Sequence, residues 1–108
     1  MNIGTRFAVL LYQATPDSHV WLGDVISSEG ARNAPGAGLR DDVAAEADDL
    51  LWEMLKGLPP QRVEVWYVRT TKEIADSLKH LSPTALFLRV RGLEGDGTTV
   101  DPQILRTH

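Results

Sequence analysis

The 108-residue sequence contains no cysteine. That absence removes disulfides, thiolate zinc sites, iron–sulfur clusters and thiol nucleophiles together, and is compatible with a reducing, cytoplasmic setting. Histidine is scarce. His19, His80 and His108 are far apart and none has the paired spacing of a zinc-binding helix, so neither a metal nor another cofactor is expected. Long apolar runs are missing as well. The stretch from Phe7 to Tyr12 is too short to span a membrane and is not followed by a small-residue cleavage site, which makes it a first strand rather than an anchor or signal. Positive charge is in deficit, the formal net charge being −4 with carboxylates concentrated between Asp41 and Glu53. A field of that sign repels phosphate backbones, and Arg62, Arg69, Arg89 and Arg91 are scattered, so nucleic acid is not an expected partner.

What is present suits one globular domain over residues 1–108. The apolar share of 43% and charged share of 24% are those of a chain with enough core to fold alone. Arg6 to Gln13 and His19 to Ser28 are two β-rich runs separated by the turn cluster Ala14-Thr15-Pro16-Asp17-Ser18, which predicts an antiparallel hairpin. Glu29 to Arg40 (29–40) holds glycines and a proline without apolar periodicity and reads as a mobile loop. From Asp41 to Lys56, Val43, Ala47, Leu50, Leu51, Met54 and Leu55 recur at helical spacing. Gly57 is expected to close that helix in the left-handed conformation, and Pro59 and Pro60 prevent its continuation.

Val63 to Arg69 reads as a strand, and Thr70-Thr-Lys-Glu73 has the spacing of a capping box for a second helix carrying Ile74, Ala75, Leu78 and Leu81. Ser82-Pro83 is expected to stop that helix, with Thr84 to Val90 a further strand in a right-handed crossover. Gly95-Asp96-Gly97 is a turn signal that would pair Arg89 to Leu93 with Thr98 to Val100, and residues 101–108 are expected to fray. The order ββαβαβ, with a possible short final strand, predicts an α+β domain whose mixed sheet carries two helices mainly on one face. Over Phe7 to Val90 this order resembles the ribonuclease H-like fold, in which an antiparallel hairpin region precedes parallel strand–helix–strand units. The nuclease members hold metals on acidic residues at strand ends. Here Phe7 to Tyr12 and Tyr67-Val68-Arg69 have none, and Glu46 stands alone, so the pattern points either to a non-catalytic relative or to a different mixed α/β fold with no relation to it.

No group of residues supplies nucleophile, base and oxyanion donors together. Asp17, Ser18 and His19 adjoin on a turn and point in diverging directions. The Gly-rich stretch lacks a P-loop ending, and Asp41-Asp42 would compete with phosphate for the helix-end amides. Asp24, an acid inside an apolar strand, is most simply explained by an edge position. The residue that departs most from a plain core pattern is Trp52, which falls opposite the apolar stripe and aligns with Asp41, Asp48 and Lys56. Cover by another segment, self-association into a homodimer, and a foreign protein partner are the three open explanations.

Asp49-Leu-Leu-Trp52-Glu53-Met-Leu55-Lys-Gly57 resembles the acidic inhibitory helix of barstar-type ribonuclease inhibitors, although the aromatic-glycine entry before that helix is absent. The leading functional expectation is a non-enzymatic inhibitor, immunity-like or regulatory interaction module whose contact surfaces are the acidic helix 41–56, through Trp52, Asp41, Asp48, Asp49 and Glu53, and the loop from Glu29 to Arg40. The alternative is a small-molecule binding domain or small enzyme with a pocket beside the 29–40 loop. Its lining would draw on Trp21, Trp66, Tyr12 and Tyr67, with Arg32 or Arg40 clamping an anion.

Overall fold

The computed structural model describes residues 3–95 and 97–107. Its elements are β1 (Ile3–Gln13), β2 (Val20–Ser27), β3 (Arg32–Leu39), α1 (Arg40–Lys56), β4 (Arg62–Thr70), α2 (Lys72–Lys79), α3 (Pro83–Val90) and β5 (Thr99–Arg106). Asp96 of the expected turn, and His108, lie outside the described residues. One mixed sheet of order β3-β2-β1-β4-β5 organises a single α+β domain.

The uninterrupted apolar run from Phe7 to Tyr12 is usable only by a strand covered on both faces. Accordingly β1 is the central strand, antiparallel to β2 and parallel to β4. Phe7, Val9 and Leu11 point to one side, where with Val25, Val63 and Val65 they meet Val43, Ala47, Leu51 and Leu55 of α1. Ala8, Leu10 and Tyr12 point to the other, towards Ala75 and Leu78 of α2 and Leu86, Phe87 and Val90 of α3. Each such fully buried Leu, Val or Phe contributes about 1.5–3 kcal/mol. Among the described residues no helix is long and apolar enough to cross a membrane.

Several sequence expectations are corrected. The 29–40 stretch is not an irregular loop, because Arg32 to Leu39 forms β3, antiparallel to β2. Backbone pairing to a neighbour needs no side-chain periodicity. A register shift between Gly23 and Val25, with Gly36 at φ 98°, lets the proline-containing strand follow β2. Gly23 permits the close approach: a Cβ there would lie 2.9 Å from Pro35 and 3.1 Å from Val43. Since β3 covers β2, Asp24 is not on an edge strand.

Thr84 to Val90 is helix rather than strand. Ser82 accepts a hydrogen bond from the Ala85 N–H and Pro83 occupies the first turn, so the pair starts a helix instead of only ending one. A second correction is that helices cover both faces, since α1 packs on one while α2, joined by α3, packs on the other. The cap of α2 is Thr71 rather than Thr70, and Gly57 ends α1 in the right-handed conformation at φ −81°.

Thr99 to Arg106 is a strand where the sequence predicts a frayed end, and Arg89 and Val90 close α3 rather than opening a hairpin. Instead β5 runs antiparallel along β4, with Trp66 opposite Pro102. A proline is tolerated there because β5 is an outer strand, and Pro35 stands on the other outer strand. An antiparallel β1-β2-β3 meander is thus joined to a parallel β1/β4 pair, where the sequence order predicts parallel strand–helix–strand units after the hairpin. The antiparallel β5, reached through two helices, departs from those parallel units.

Candidate functional site

The amphipathic pattern of α1 buries Val43, Ala47, Leu51 and Leu55 and leaves the rest of its circumference to solvent. That circumference holds six carboxylates against Arg40 and Lys56, while the remainder of the chain carries nine acids and nine bases. The whole formal charge of −4 therefore resides on one helix. Asp41 and Asp42 complement the positive helix end, which has no side-chain cap, and Glu53 pairs with Lys56 at 2.9 Å. Asp41, Asp49 and Glu53 are exposed, Asp48 is half-buried, and Trp52 is 41% exposed. At 100° per residue Trp52 lies between Asp41 and Asp48 on one side and Asp49 and Glu53 on the other. Asp48, Asp49, Trp52 and Glu53 thus adjoin on the helix, with Asp41 about three turns earlier.

The two flanks of that surface differ. On one, Glu46, Asp49, Leu50 and Glu53 face Ala34 and Pro35 of β3 across a shallow cleft of about 350 Å³. On the other, Asp48 reaches β4 and accepts a hydrogen bond from the Tyr67 hydroxyl at 3.3 Å. Burial, the charge and hydrogen bond of Asp48, and the charge of Asp101 opposite on β5 push the Tyr67 phenol up to about 12.

The alternative ligand residues do not converge. Trp21 lies on the α1 side with the Arg40 guanidinium 5.7 Å from its ring centre. Arg32 donates to the carbonyls of Lys79 and Leu81, at 2.7 and 2.8 Å, and so ties β3 to the end of α2. Trp66 is on the opposite face from Trp21, edge-on to Phe87 and beneath Arg91. Tyr12 and Tyr67 likewise face opposite sides of the sheet. A hollow of about 560 Å³ lies elsewhere, between the β1–β2 turn and the start of α2, lined by Gln13, Pro16, Asp17, Thr71, Lys72 and Asp76.

One polar cluster was not anticipated. The Tyr12 hydroxyl donates to Asp24 at 2.8 Å, and the Lys79 ammonium bonds to the Tyr12 oxygen and lies 3.3 Å from Asp24. Burial raises the Tyr12 pKa, and the Lys79 pKa is raised because Tyr12 and Asp24 outweigh its own burial. Tyr12 therefore stays neutral, Lys79 stays charged, and the three groups satisfy one another as a bolt between α2 and the sheet. Its one signal in the sequence is the acid at Asp24, whose neighbours on β2 are apolar. Among the described residues no three His, Cys, Asp or Glu side chains are placed to hold a metal ion.

Fold and surface together define a small α+β domain that displays one strongly acidic helix. Set against known proteins, the chain matches no family model, no curated protein and no solved structure. The two resemblances in its sequence therefore stand on topology and on the nine residues from Asp49 to Gly57.

Proposed function

We propose that the chain is a protein-interaction module that binds a basic partner through the exposed surface of α1. The observation that carries this reading is the coincidence of the entire net charge with the one tryptophan left 41% exposed. Tryptophan is enriched among binding hot spots, and surrounding carboxylates both steer a cationic partner and reject an anionic one. The same charge decides against pairing of two copies through this helix. A two-fold interface would place like-charged surfaces face to face, a repulsion the partner must instead neutralise.

The experiment is capture from extracts of the producing cells at low salt. Parent protein is compared with a variant carrying Asp41→Asn, Asp49→Asn, Glu53→Gln and Trp52→Ala. Basic proteins retained by the parent, lost by the variant and released by added salt are the expected result. Identical captured sets, or a parent that sediments as a dimer which the variant abolishes, would overturn the reading.

A second reading is favoured by the hollow of about 560 Å³ at the carboxyl ends of β1 and β4, a usual location of ligands in sheets with parallel strands. A metabolite screen by thermal shift tests it. A ligand at a hundred times its dissociation constant adds about 2.7 kcal/mol, and no shift across a broad library removes this reading.

A further inference from the structure

The sheet is unequally covered on the α1 side. The helix packs over β1, β2 and β3, and its buried stripe continues only to Val63 and Val65 of β4. Beyond them, by strand alternation, Tyr67 and Arg69 of β4 and their register partners Asp101 and Thr99 of β5 face the same side. Tyr67 is half-buried, and Arg69, Thr99 and Asp101 are exposed. This corner is an unpartnered sheet face walled by α1. Asp48 descends from the wall to the Tyr67 hydroxyl, and Trp52, one helical turn on, overlooks the same flank.

The charges of this corner are not neutralised from within. Among the described residues neither Asp48 nor Asp101 forms an ion pair: Asp48 accepts from the Tyr67 hydroxyl, Asp101 accepts from the Gln103 side-chain amide at 3.1 Å, and Arg69 on the same face is bonded to neither. The corner thus offers an aromatic face beside two carboxylates that approach the same phenol from helix and sheet. A guanidinium uses both features at once, since it stacks on an aromatic ring and donates from its edge to carboxylates. An ammonium is a compact point charge without a planar fork.

We propose that the corner between α1 and the outer half of the sheet is a recess for an arginine side chain of a basic protein segment. The guanidinium stacks on Trp52 and donates to Asp48 and Asp101. This rests on the proposed reading of α1 as the face for a basic partner, and adds where on that face selectivity arises. Asp49 and Glu53, on the far flank, contribute long-range attraction that does not discriminate arginine from lysine.

Two synthetic peptides test it, one arginine-rich and one with every arginine replaced by lysine, titrated by fluorescence anisotropy into the parent, Asp101→Asn and Asp49→Asn. Far-ultraviolet circular dichroism establishes that each variant is folded. The parent should bind the arginine peptide about tenfold more tightly than the lysine peptide, and Asp101→Asn should remove most of that ratio. Asp49→Asn should weaken both peptides by a similar, smaller factor of about two and keep the ratio. Equal affinities for the two peptides, or equal effects of the two substitutions, would overturn the recess while leaving α1 as a basic-partner face. Failure of the parent to bind either peptide would overturn both.

Discussion

The Tyr67 hydroxyl donates its hydrogen to the Asp48 carboxylate across the gap between β4 and α1. Tyr67 ionises near 10 in the unfolded chain and about 12 in the folded one, so the folded state holds this proton through the interval. A raised folded value contributes stability that is complete below pH 10 and is lost as pH climbs to about 12. Tyr67→Phe should flatten the alkaline fall of the urea midpoint in that window. Asp48→Asn should bring the tyrosinate absorbance titration to lower pH. A titration unmoved by Asp48→Asn would contradict the contact.

Trp52 is partly shielded, so its removal has an intermediate cost. Full burial would make Trp52→Ala cost about 3–5 kcal/mol. With 41% of the residue open to solvent, and alanine the better helix former, the expected loss is about 1–2 kcal/mol. Urea denaturation at two protein concentrations measures it. A loss that grows with concentration would place Trp52 in a self-association interface instead.

Asp24 and Lys79 should behave as one unit. Lys79→Met leaves a half-buried carboxylate with Tyr12 alone, and Asp24→Asn leaves the ammonium with only the more exposed Asp76, at 3.7 Å, as counter-charge. Each should cost about 1–3 kcal/mol, with the double variant less destabilised than the two losses added, by about 1 kcal/mol. Strict additivity in urea denaturation would mean the bolt is not formed.

Gly23 should resist even the smallest side chain. The Cβ of Gly23→Ala meets the Pro35 ring and Val43 at distances that require backbone or core movement. The expected loss is about 1–3 kcal/mol, read from the urea midpoint, and an unchanged midpoint would remove the packing argument for β3.

Ser82→Ala should destabilise the domain by about 1 kcal/mol and reduce helical ellipticity, because Ser82 caps α3. Indifference in both measurements would favour a strand at Thr84 to Val90.

What the sequence discloses about this fold follows from how strongly each segment states its own periodicity. The stripe Val43, Ala47, Leu51, Leu55 repeats over more than three turns, and β1 and β4 are dense in apolar and β-branched residues, so all three are legible. β3 is not, because its strand character comes from pairing with β2 rather than from its own Gly- and Pro-rich residues. In α3 the buried Leu86, Phe87 and Val90 fit a short apolar strand as well as a helix, and only the reading of Ser82-Pro83 as a start separates the two. Of the acidic surface, the residues were visible in the helical wheel. The bare corner beside them was not, since it depends on β5 and on which strands α1 covers. Likewise Asp24 stood out, but its partners Tyr12 and Lys79 come from distant segments that only the sheet brings together.

The central strand of the sheet is also the first to be made. β1 can pair with β2 as soon as the intervening turn has emerged, but its other edge waits for β4, whose Val65 lies opposite Phe7. Closing so long a loop is entropically costly and slows the rate at which the sheet is completed. Until then Ala8, Leu10 and Tyr12 have neither the β4 neighbour nor the α2 and α3 cover that buries them in the finished domain. A nascent or truncated chain ending before Arg62 therefore exposes an unpaired apolar ribbon, the kind of surface that chaperones recognise and that aggregation consumes.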